Sequence, residues 1–548
     1  MKIRIDKGIR YRGNSLYVTV CDHDPEVLAI INSYKCYKCK NVYELPNTAF
    51  NTLIDRLKFK DVVIKGKLST EQKRYLKLLA IYDQEDKPYS SCTKPFNYQM
   101  DSYYYALDNN KFLLGDEQGL GKTKQALDIA VSRKHKMTHC LIICGVNGLK
   151  WNWLNEISIH TKEQGHILGL DKNKNTIGSV NERYEDLVQK HKEFFIITNI
   201  ETLRDKRIQK QIKLMCETGV IGMTIIDEIH KAKNSTSIQG KAIHYCNSYY
   251  KLALTGTPLM NNPIDLYNIL KWLDVEHHTL SYFKNRYCIM GGFGNYQIVG
   301  YQHLEELEQH LNAVMLRRTK DEVLELPDKI FISEYVEMSP QQRKKYYAVK
   351  ELLRKEIDKI LLSNNPLSQL IRLRQATGNP DILSSGSNQN CKYERMRELV
   401  EESVENNKKV IIFSNWTSII NPAVAKLKNY NPAVVTGEIK DKEQQLNKFK
   451  QDKSCKVILG TINCLGTGYN LTEANTIIFL DEPWTYALKS QAVDRAHRIG
   501  AVNSVNIYTL ICKGTIDENI HEIIKNKQDL TNCIIDNKKQ FIKNVLEG

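Results

Sequence analysis

Between residues 111 and 260, short apolar runs recur at 111–114, 140–144, 194–198, 222–226 and 251–255. Polar or amphipathic stretches long enough for helices separate them. Runs this short that are apolar throughout suit strands buried on both faces, and their alternation with helices predicts a parallel sheet covered on both sides. The rhythm is lost from 261 to 385, where the chain reads as helix-rich and basic, with a glycine loop at Gly291-Gly292-Phe293-Gly294. It returns near 391. A helix is predicted over Met396–Glu405, with strands at Lys409–Ser414, Val434-Val435, Cys455–Thr461 and Thr476–Leu480. The pattern therefore predicts an α/β chain of four parts. These are a small α+β unit at 1–89, a first α/β lobe at 90–275, helical insertions at 276–385 and a second α/β lobe at 386–548.

The first unit has its own periodicity. Ser15–Val20 alternates as a strand. Asp24-Pro25-Glu26 opens an apolar-periodic helix, with Asp24 as cap and Pro25 at the first position. A hairpin is predicted over Tyr34–Glu44 and a second helix over Thr48–Leu57. Cys36 and Cys39 form one half of a zinc-ligand spacing, with Cys21 and His23 upstream, but a hairpin with two incidental cysteines accounts for the pair equally well. Residues 83–95 are polar, with Pro88 and Pro95, and read as a linker.

Length and charge narrow the class. A chain of 548 residues exceeds one core. The net charge of +15 favours a polyanionic partner, most simply nucleic acid. Fourteen scattered cysteines, several inside apolar runs, point to a reducing compartment and hence the cytoplasm. The start of the chain has no signal-peptide pattern, and no apolar stretch is long enough to cross a membrane. The abundance of Lys, Asn, Ile and Tyr points to an AT-rich genome.

Candidate chemistry sits at the ends of the predicted strands. Phe112-Leu113-Leu114 runs into Gly115-Asp116-Glu117-Gln118-Gly119-Leu120-Gly121-Lys122-Thr123, and a helix follows. Strand, glycine turn, Gly-Lys-Thr and helix is the geometry that cradles a nucleotide triphosphate. Backbone N–H groups of Gly119, Leu120 and Gly121 would face phosphate oxygens, Lys122 would reach the β- and γ-phosphates, and Thr123 would ligate Mg²⁺. One position departs from the standard pattern, which has glycine where this chain has Asp116. Asp227 and Glu228 directly follow an apolar strand. Asp227 suits the Mg²⁺ shell, and Glu228 suits orientation and deprotonation of the attacking water. Gln99, upstream of the loop, carries one donor and one acceptor that match an adenine edge. On a helix, Gln491, Arg495 and Arg498 share one face, from which two arginines would reach a γ-phosphate across a cleft.

Taken together, these motifs resemble the Swi/Snf family of superfamily 2 helicase-like ATPases over roughly residues 95–525. In that family an acid characteristically stands where Asp116 does. Asn152-Trp153 with Glu156 resembles motif Ia, and Ile197-Thr198-Asn199 with Glu201 resembles a DNA-facing motif. Asp227 to Asn234 resembles the Walker B extension, Leu254 to Asn262 motif III, and Leu316-Arg317-Arg318-Thr319-Lys320 the inter-lobe segment. Gly466 to Leu471 and Gln491 to Gly500 are similar to motifs V and VI. Ala501 and Tyr486 depart from the usual pattern without removing a catalytic group.

The resemblance implies two RecA-like lobes with ATP and Mg²⁺ between them, and Arg495 and Arg498 entering from the second lobe. It implies DNA contacts at Thr198, Asn199, Thr461, Gly466 and Trp484, largely independent of sequence, by a monomer. Translocation on duplex DNA, with remodelling, reannealing or displacement of bound protein, is the implied activity. The compact annealing-helicase branch, of phage or bacterial kind, fits Leu373–Gly378 and the N-terminal unit, which resembles a DNA-substrate recognition domain. Alternatives are a strand-separating or fork-reversing repair helicase, RNA polymerase recycling, nucleosome remodelling, or a binding scaffold with a silent nucleotide site.

Overall fold

Alternation of side chains across a pleated strand decides which residues enter which core, and the two lobes are built on that rule. A computed structural model describes residues 3–526 apart from 7–14, 20–24, 35, 40–41, 47–48, 58–61, 66–68, 83, 89–90, 146–147, 172–175, 257–262, 292–296, 325–326, 356–366, 381–389, 440, 467–468 and 499–502. The N-terminal unit is a mixed sheet of β1 (Ile3–Asp6), β2 (Ser15–Thr19), β3 (Tyr37–Cys39), β4 (Val42–Pro46) and β5 (Val62–Lys65), in the order β1-β5-β2-β4-β3. Helices Pro25–Asn32 and Phe50–Arg56 contribute Val27, Ile31, Phe50 and Leu53 to its core. Cys36 is half-buried, while Cys21, His23 and the Cys39 side chain lie outside the described residues, and so does the Asp24 cap.

The first lobe carries β6 (Lys111–Leu114), β7 (His139–Cys144), β8 (Gly165–Ile167), a small hairpin of β9 (Leu170–Asp171) and β10 (Thr176–Ile177), then β11 (Phe195–Asn199), β12 (Ile221–Asp227) and β13 (Tyr250–Leu254). Phe112, Leu114, Ile142, Ile197, Ile225 and Leu252 face one core, whereas Leu113, Leu141, Ile143, Ile196, Ile226 and Ala253 face the other. Helices Lys122–Ser132 and Leu149–His160 cover the first face; Lys206–Glu217 and Pro263–Trp272 cover the second.

The region between the lobes differs from its sequence reading. It is not purely helical. It holds the antiparallel hairpin β14 (Cys288–Gly291) and β15 (Gln297–Tyr301), and it gives an edge strand to each lobe. β16 (Met315–Leu316) pairs in parallel with β6, completing the order β16-β6-β13-β12-β7-β11-β8. β17 (Lys329–Val336) joins the second lobe. That sheet continues with β18 (Lys409–Ser414), β19 (Ala433–Val435), β20 (Val457–Thr461), β21 (Ala474–Phe479) and β22 (Val505–Cys512), in the all-parallel order β17-β22-β21-β18-β20-β19. Here too the strands split by parity: Ile411 and Phe413 face one core, Val410 and Ile412 the other. The fold is α/β, with two parallel sheets each flanked by helices.

Residues 83–95, expected to be a linker, are fastened to the first lobe. Asp86 pairs with Arg133 at 2.9 Å and with Lys136, the Lys87 N–H donates to Ser132 O, and the Tyr103 hydroxyl donates to Lys87 O. The preceding helix, Thr70–Tyr82, lays Tyr82 on Tyr249 with ring centroids 4.3 Å apart. Acidic and aromatic side chains, rather than apolar periodicity, dock this stretch, so hydropathy alone reads it as free. No helix among the described residues is long and apolar enough to cross a membrane.

Candidate nucleotide site between the two lobes

β6 delivers the chain into the phosphate loop, and the loop's shape requires its glycines. Gly119 and Gly121 have φ of +91° and +72°, the left-handed region that glycine enters without a Cβ penalty. A Cβ on Gly121 would also lie 2.6 Å from Gln99 Nε2. Between them, the buried Leu120 carbonyl accepts from the Tyr98 hydroxyl at 3.0 Å, Gln99 Nε2 at 3.3 Å and Gln125 Nε2 at 3.0 Å. Helix Lys122–Ser132 starts at once, with half-buried Thr123 in its first turn. Lys122 Nζ donates to the carbonyls of Asp116 at 2.7 Å and Glu117 at 3.2 Å. Burial lowers the Lys122 pKa, opposed by the charges of Glu228, Asp116 and Asp227. Gln99 therefore touches the phosphate loop, and its Oε1 also accepts from the Phe96 N–H.

Asp116 has a structural explanation. It is fully buried and takes a two-pronged ion pair from Arg318, Nε to Oδ1 at 3.0 Å and Nη2 to Oδ2 at 2.6 Å. The same guanidinium donates to Ser102 Oγ at 2.5 Å, Gln125 Oε1 at 2.9 Å and the Tyr98 carbonyl. The inter-lobe segment lies along the loop like an added strand: the Gly115 N–H donates to Leu316 O, the Glu117 N–H to Arg318 O, and the Lys320 N–H to Glu117 Oε2. Arg318 was in view in the sequence only as part of a basic run. A buried acid in the phosphate loop demands a nearby cation, and that demand was the available signal.

The acidic pair ends β12. Glu228 has φ of +52°, a strained conformation for a side chain with a Cβ. Burial and the Glu228 charge raise the Asp227 carboxyl above the usual carboxylate range. Burial would raise Glu228 as well, but His230, Lys122 and Arg495 outweigh it and hold that carboxyl below its usual range. His230 Nδ1 lies 3.2 Å from Glu228 Oε2 as its ion-pair partner. Trp153, wholly buried on helix Leu149–His160, donates its indole N–H to Asp227 Oδ2 at 2.9 Å. Thr123 and Asp227 offer a hydroxyl and a carboxylate of the kind that would hold Mg²⁺, and the Glu228 carboxylate is of the kind that would act on water.

From the second lobe comes Arg495. Its Nη2 donates to Gln118 Oε1 in the phosphate loop, 377 residues away in sequence. The expectation of one continuous helix through Arg498 is corrected here. The helix runs Tyr486–Val493, and Arg495 and Arg498 lie in the turn after it. Backbone groups that would continue the helix are engaged elsewhere: the Arg495 carbonyl accepts from the Leu471 N–H, and the His497 carbonyl from Lys320 Nζ at 2.7 Å. Gln491 contributes its carbonyl, which accepts from Arg495 Nε at 3.1 Å. Arg498 still reaches the cleft, since a Cβ on Gly119 would stand 3.0 Å from its Cβ. Lys320 also pairs with Asp494 at 2.6 Å with both side chains buried, so a single segment ties the phosphate loop to the arginine turn.

Of the residues expected to contact DNA, four are buried and one is half-buried. Thr198 is 1% exposed and Asn199 3% exposed, with Asn199 engaged by Lys150, Glu201 and Thr202. Thr461 and Gly466 are buried too. Half-buried Trp484 stacks on Arg374, 4.3 Å from its ring centroid. Thr257 to Asn262, Thr467, Gly468 and Ile499 to Ala501 fall outside the described residues.

The family model described as SNF2-related domain matches residues 48–382, and that described as helicase conserved C-terminal domain matches 391–500. The chain belongs to the SNF2-related family. Among its relatives, an uncharacterized ATP-dependent helicase of Mycoplasma pneumoniae is 30% identical, covering 79% of this chain and 41% of its own length. The DNA annealing helicase and endonuclease ZRANB3 of Mus musculus is 26% identical, covering 82% of this chain and 42% of its own. The chain thus spans about two fifths of the length of these curated relatives. The solved Sulfolobus solfataricus SWI2/SNF2 ATPase core in complex with dsDNA is 27% identical, covering 84% of this chain and 97% of that one, with a TM-score of 0.37.

Proposed function

We propose that this SNF2 chain is a DNA-dependent ATPase that translocates on duplex DNA, remodelling or reannealing it or displacing bound protein. The observation that carries the reading is the cross-lobe hydrogen bond from Arg495 to Gln118. A phosphate loop on one lobe meets an arginine from the other, so the site is complete only when the lobes are closed. In this reading Lys122 binds the β- and γ-phosphates, and the N–H groups of Gly119 to Gly121 cradle them. Gln99, expected at the adenine edge, instead braces the phosphate loop through the Leu120 carbonyl and the Phe96 N–H. Thr123 and Asp227 hold Mg²⁺, which neutralises charge on the phosphate oxygens. Glu228 orients the attacking water and takes its proton, and Arg495 and Arg498 stabilise the transferring phosphoryl group. Such an arginine is worth on the order of 10³–10⁵ in rate. The charge of +15 suits backbone contacts with a polyanion, which makes binding salt-sensitive and weakly sequence-dependent.

The test is ATP turnover by the full chain alone and with single-stranded, blunt duplex and forked DNA. Duplex DNA should stimulate turnover, and Glu228→Gln should lower the rate by roughly 10²–10⁴-fold. Robust DNA-independent hydrolysis by the Glu228→Gln protein would sink the assignment. Strand displacement on forks as efficient as turnover on blunt duplex would favour the strand-separating alternative.

A further inference from the structure

Gln118 occupies a position that neither the loop pattern nor the acid pair accounts for. Its side chain is 94% buried (6% exposed) at the crossing of three segments. Its Cγ packs against backbone at the end of β13, where a Cβ on Gly256 would stand 2.2 Å away, and that same Cβ would stand 3.1 Å from Lys122 Nζ. The amide thus lies beside the lysine that reaches for phosphate. Its orientation is fixed by chemistry. A guanidinium carries only donors, so the amide atom facing Arg495 is the oxygen. The NH₂ group is then the end left over. It is buried and has no hydrogen-bond partner among the described residues.

A buried donor without an acceptor is costly unless a ligand supplies one. Resting on the ATPase reading above, we infer that Gln118 bridges the arginine and the nucleotide: Oε1 holds the Arg495 guanidinium, and Nε2 donates to an oxygen of the γ-phosphate. Gln118 then distinguishes a triphosphate from a diphosphate, because ADP offers no oxygen at that point and leaves the amide unpaired. It also makes closure of the second lobe and recognition of the terminal phosphate one event, since both depend on the same side chain in the same rotamer.

The experiment compares affinities of the full-length chain for the non-hydrolysable analogue β,γ-imido-ATP and for ADP, both with Mg²⁺, by calorimetry. Two variants separate the roles. Gln118→Glu keeps an acceptor for Arg495 and loses the donor. Gln118→Met keeps the volume and loses both. Each should weaken the triphosphate analogue roughly 10- to 150-fold while leaving ADP within a few-fold of the parent, the range expected from one lost hydrogen bond to a charged group. Rates should diverge: Gln118→Glu retains more single-turnover hydrolysis at saturating ATP than Gln118→Met, since only the former still holds Arg495. An unchanged analogue-to-ADP ratio in both variants, or an equal fall in both affinities, would overturn the assignment while leaving the ATPase reading intact. A parent chain that binds neither nucleotide would overturn the ATPase reading and this inference together.

Discussion

Replacing Asp116 by glycine makes the phosphate loop match the general nucleotide-binding pattern better, and we predict that it makes the protein worse. Asp116 is fully buried and its partner Arg318 is 90% buried at the side chain. Removing one member of a buried, hydrogen-bonded ion pair leaves an uncompensated charge and costs roughly 3–5 kcal/mol. Arg318 keeps Ser102, Gln125 and the Tyr98 carbonyl, so the lower end, about 3 kcal/mol, applies. For a lobe of this size that is a fall in Tm of roughly 6–12 °C. Thermal unfolding followed by near-ultraviolet circular dichroism would measure it in Asp116→Gly, Arg318→Met and the double variant. Each single change should destabilise. The double should cost less than the sum of the two singles, with a coupling of about 2 kcal/mol, because it removes both charges from the interior. ATP turnover of the Asp116→Gly protein should fall as well, since the Arg318 anchor positions the strand that hydrogen-bonds Gly115 and Glu117. An Asp116→Gly chain as stable as its parent, or single effects that simply add, would refute the reasoning.

Two further outcomes follow from the same site and its supports. Trp153→Phe keeps the ring in the core but removes the N–H that fixes Asp227, so the Mg²⁺ concentration for half-maximal turnover should rise roughly 10-fold with little change in Tm; an unchanged requirement would rule out that role. At the opposite end of β13, burial would raise the Asp274 carboxyl, but Lys251 and Lys111 hold it down to about 2. Its folded pKa lies below the unfolded value near 3.9, so its stabilisation is present above that value and fades as pH falls towards 2. After discounting for its partial exposure, Asp274→Asn should cost on the order of 2 kcal/mol at pH 7 and almost nothing at pH 2, as read from urea unfolding at the two pH values.

Much of this architecture was legible in the chain, for identifiable reasons. The buried strands β6, β7, β11, β12 and β13 are short, mostly apolar runs, and burial on both faces leaves them few polar positions. The phosphate loop and the acid pair are local motifs, so spacing alone exposes them. What escaped is long-range or carried by polar chemistry. β16 is two residues long and exists because β6 offers it an edge. β17 carries no buried residue and exposes Ile330, Phe331 and Tyr335, and β22 pairs it to the second lobe from almost two hundred residues downstream. Past the end of the helix at Val493 the Arg495 and His497 carbonyls take tertiary partners, which no helical wheel contains. Arg318, Trp153 and Gln118 each bond a motif residue from a distant segment, so their roles appear only once the chain is folded.

The central claim is a nucleotide site shared by two lobes, and a single-turnover comparison tests it most directly. Lys122→Ala and Arg495→Ala proteins would be mixed with MgATP and saturating duplex DNA, and MgADP binding would be measured in parallel. Lys122→Ala should lose both binding and hydrolysis. Arg495→Ala should bind MgADP within a few-fold of the parent yet hydrolyse ATP slower by on the order of 10³-fold or more. An Arg495→Ala protein that hydrolyses ATP at the parental rate would contradict the account.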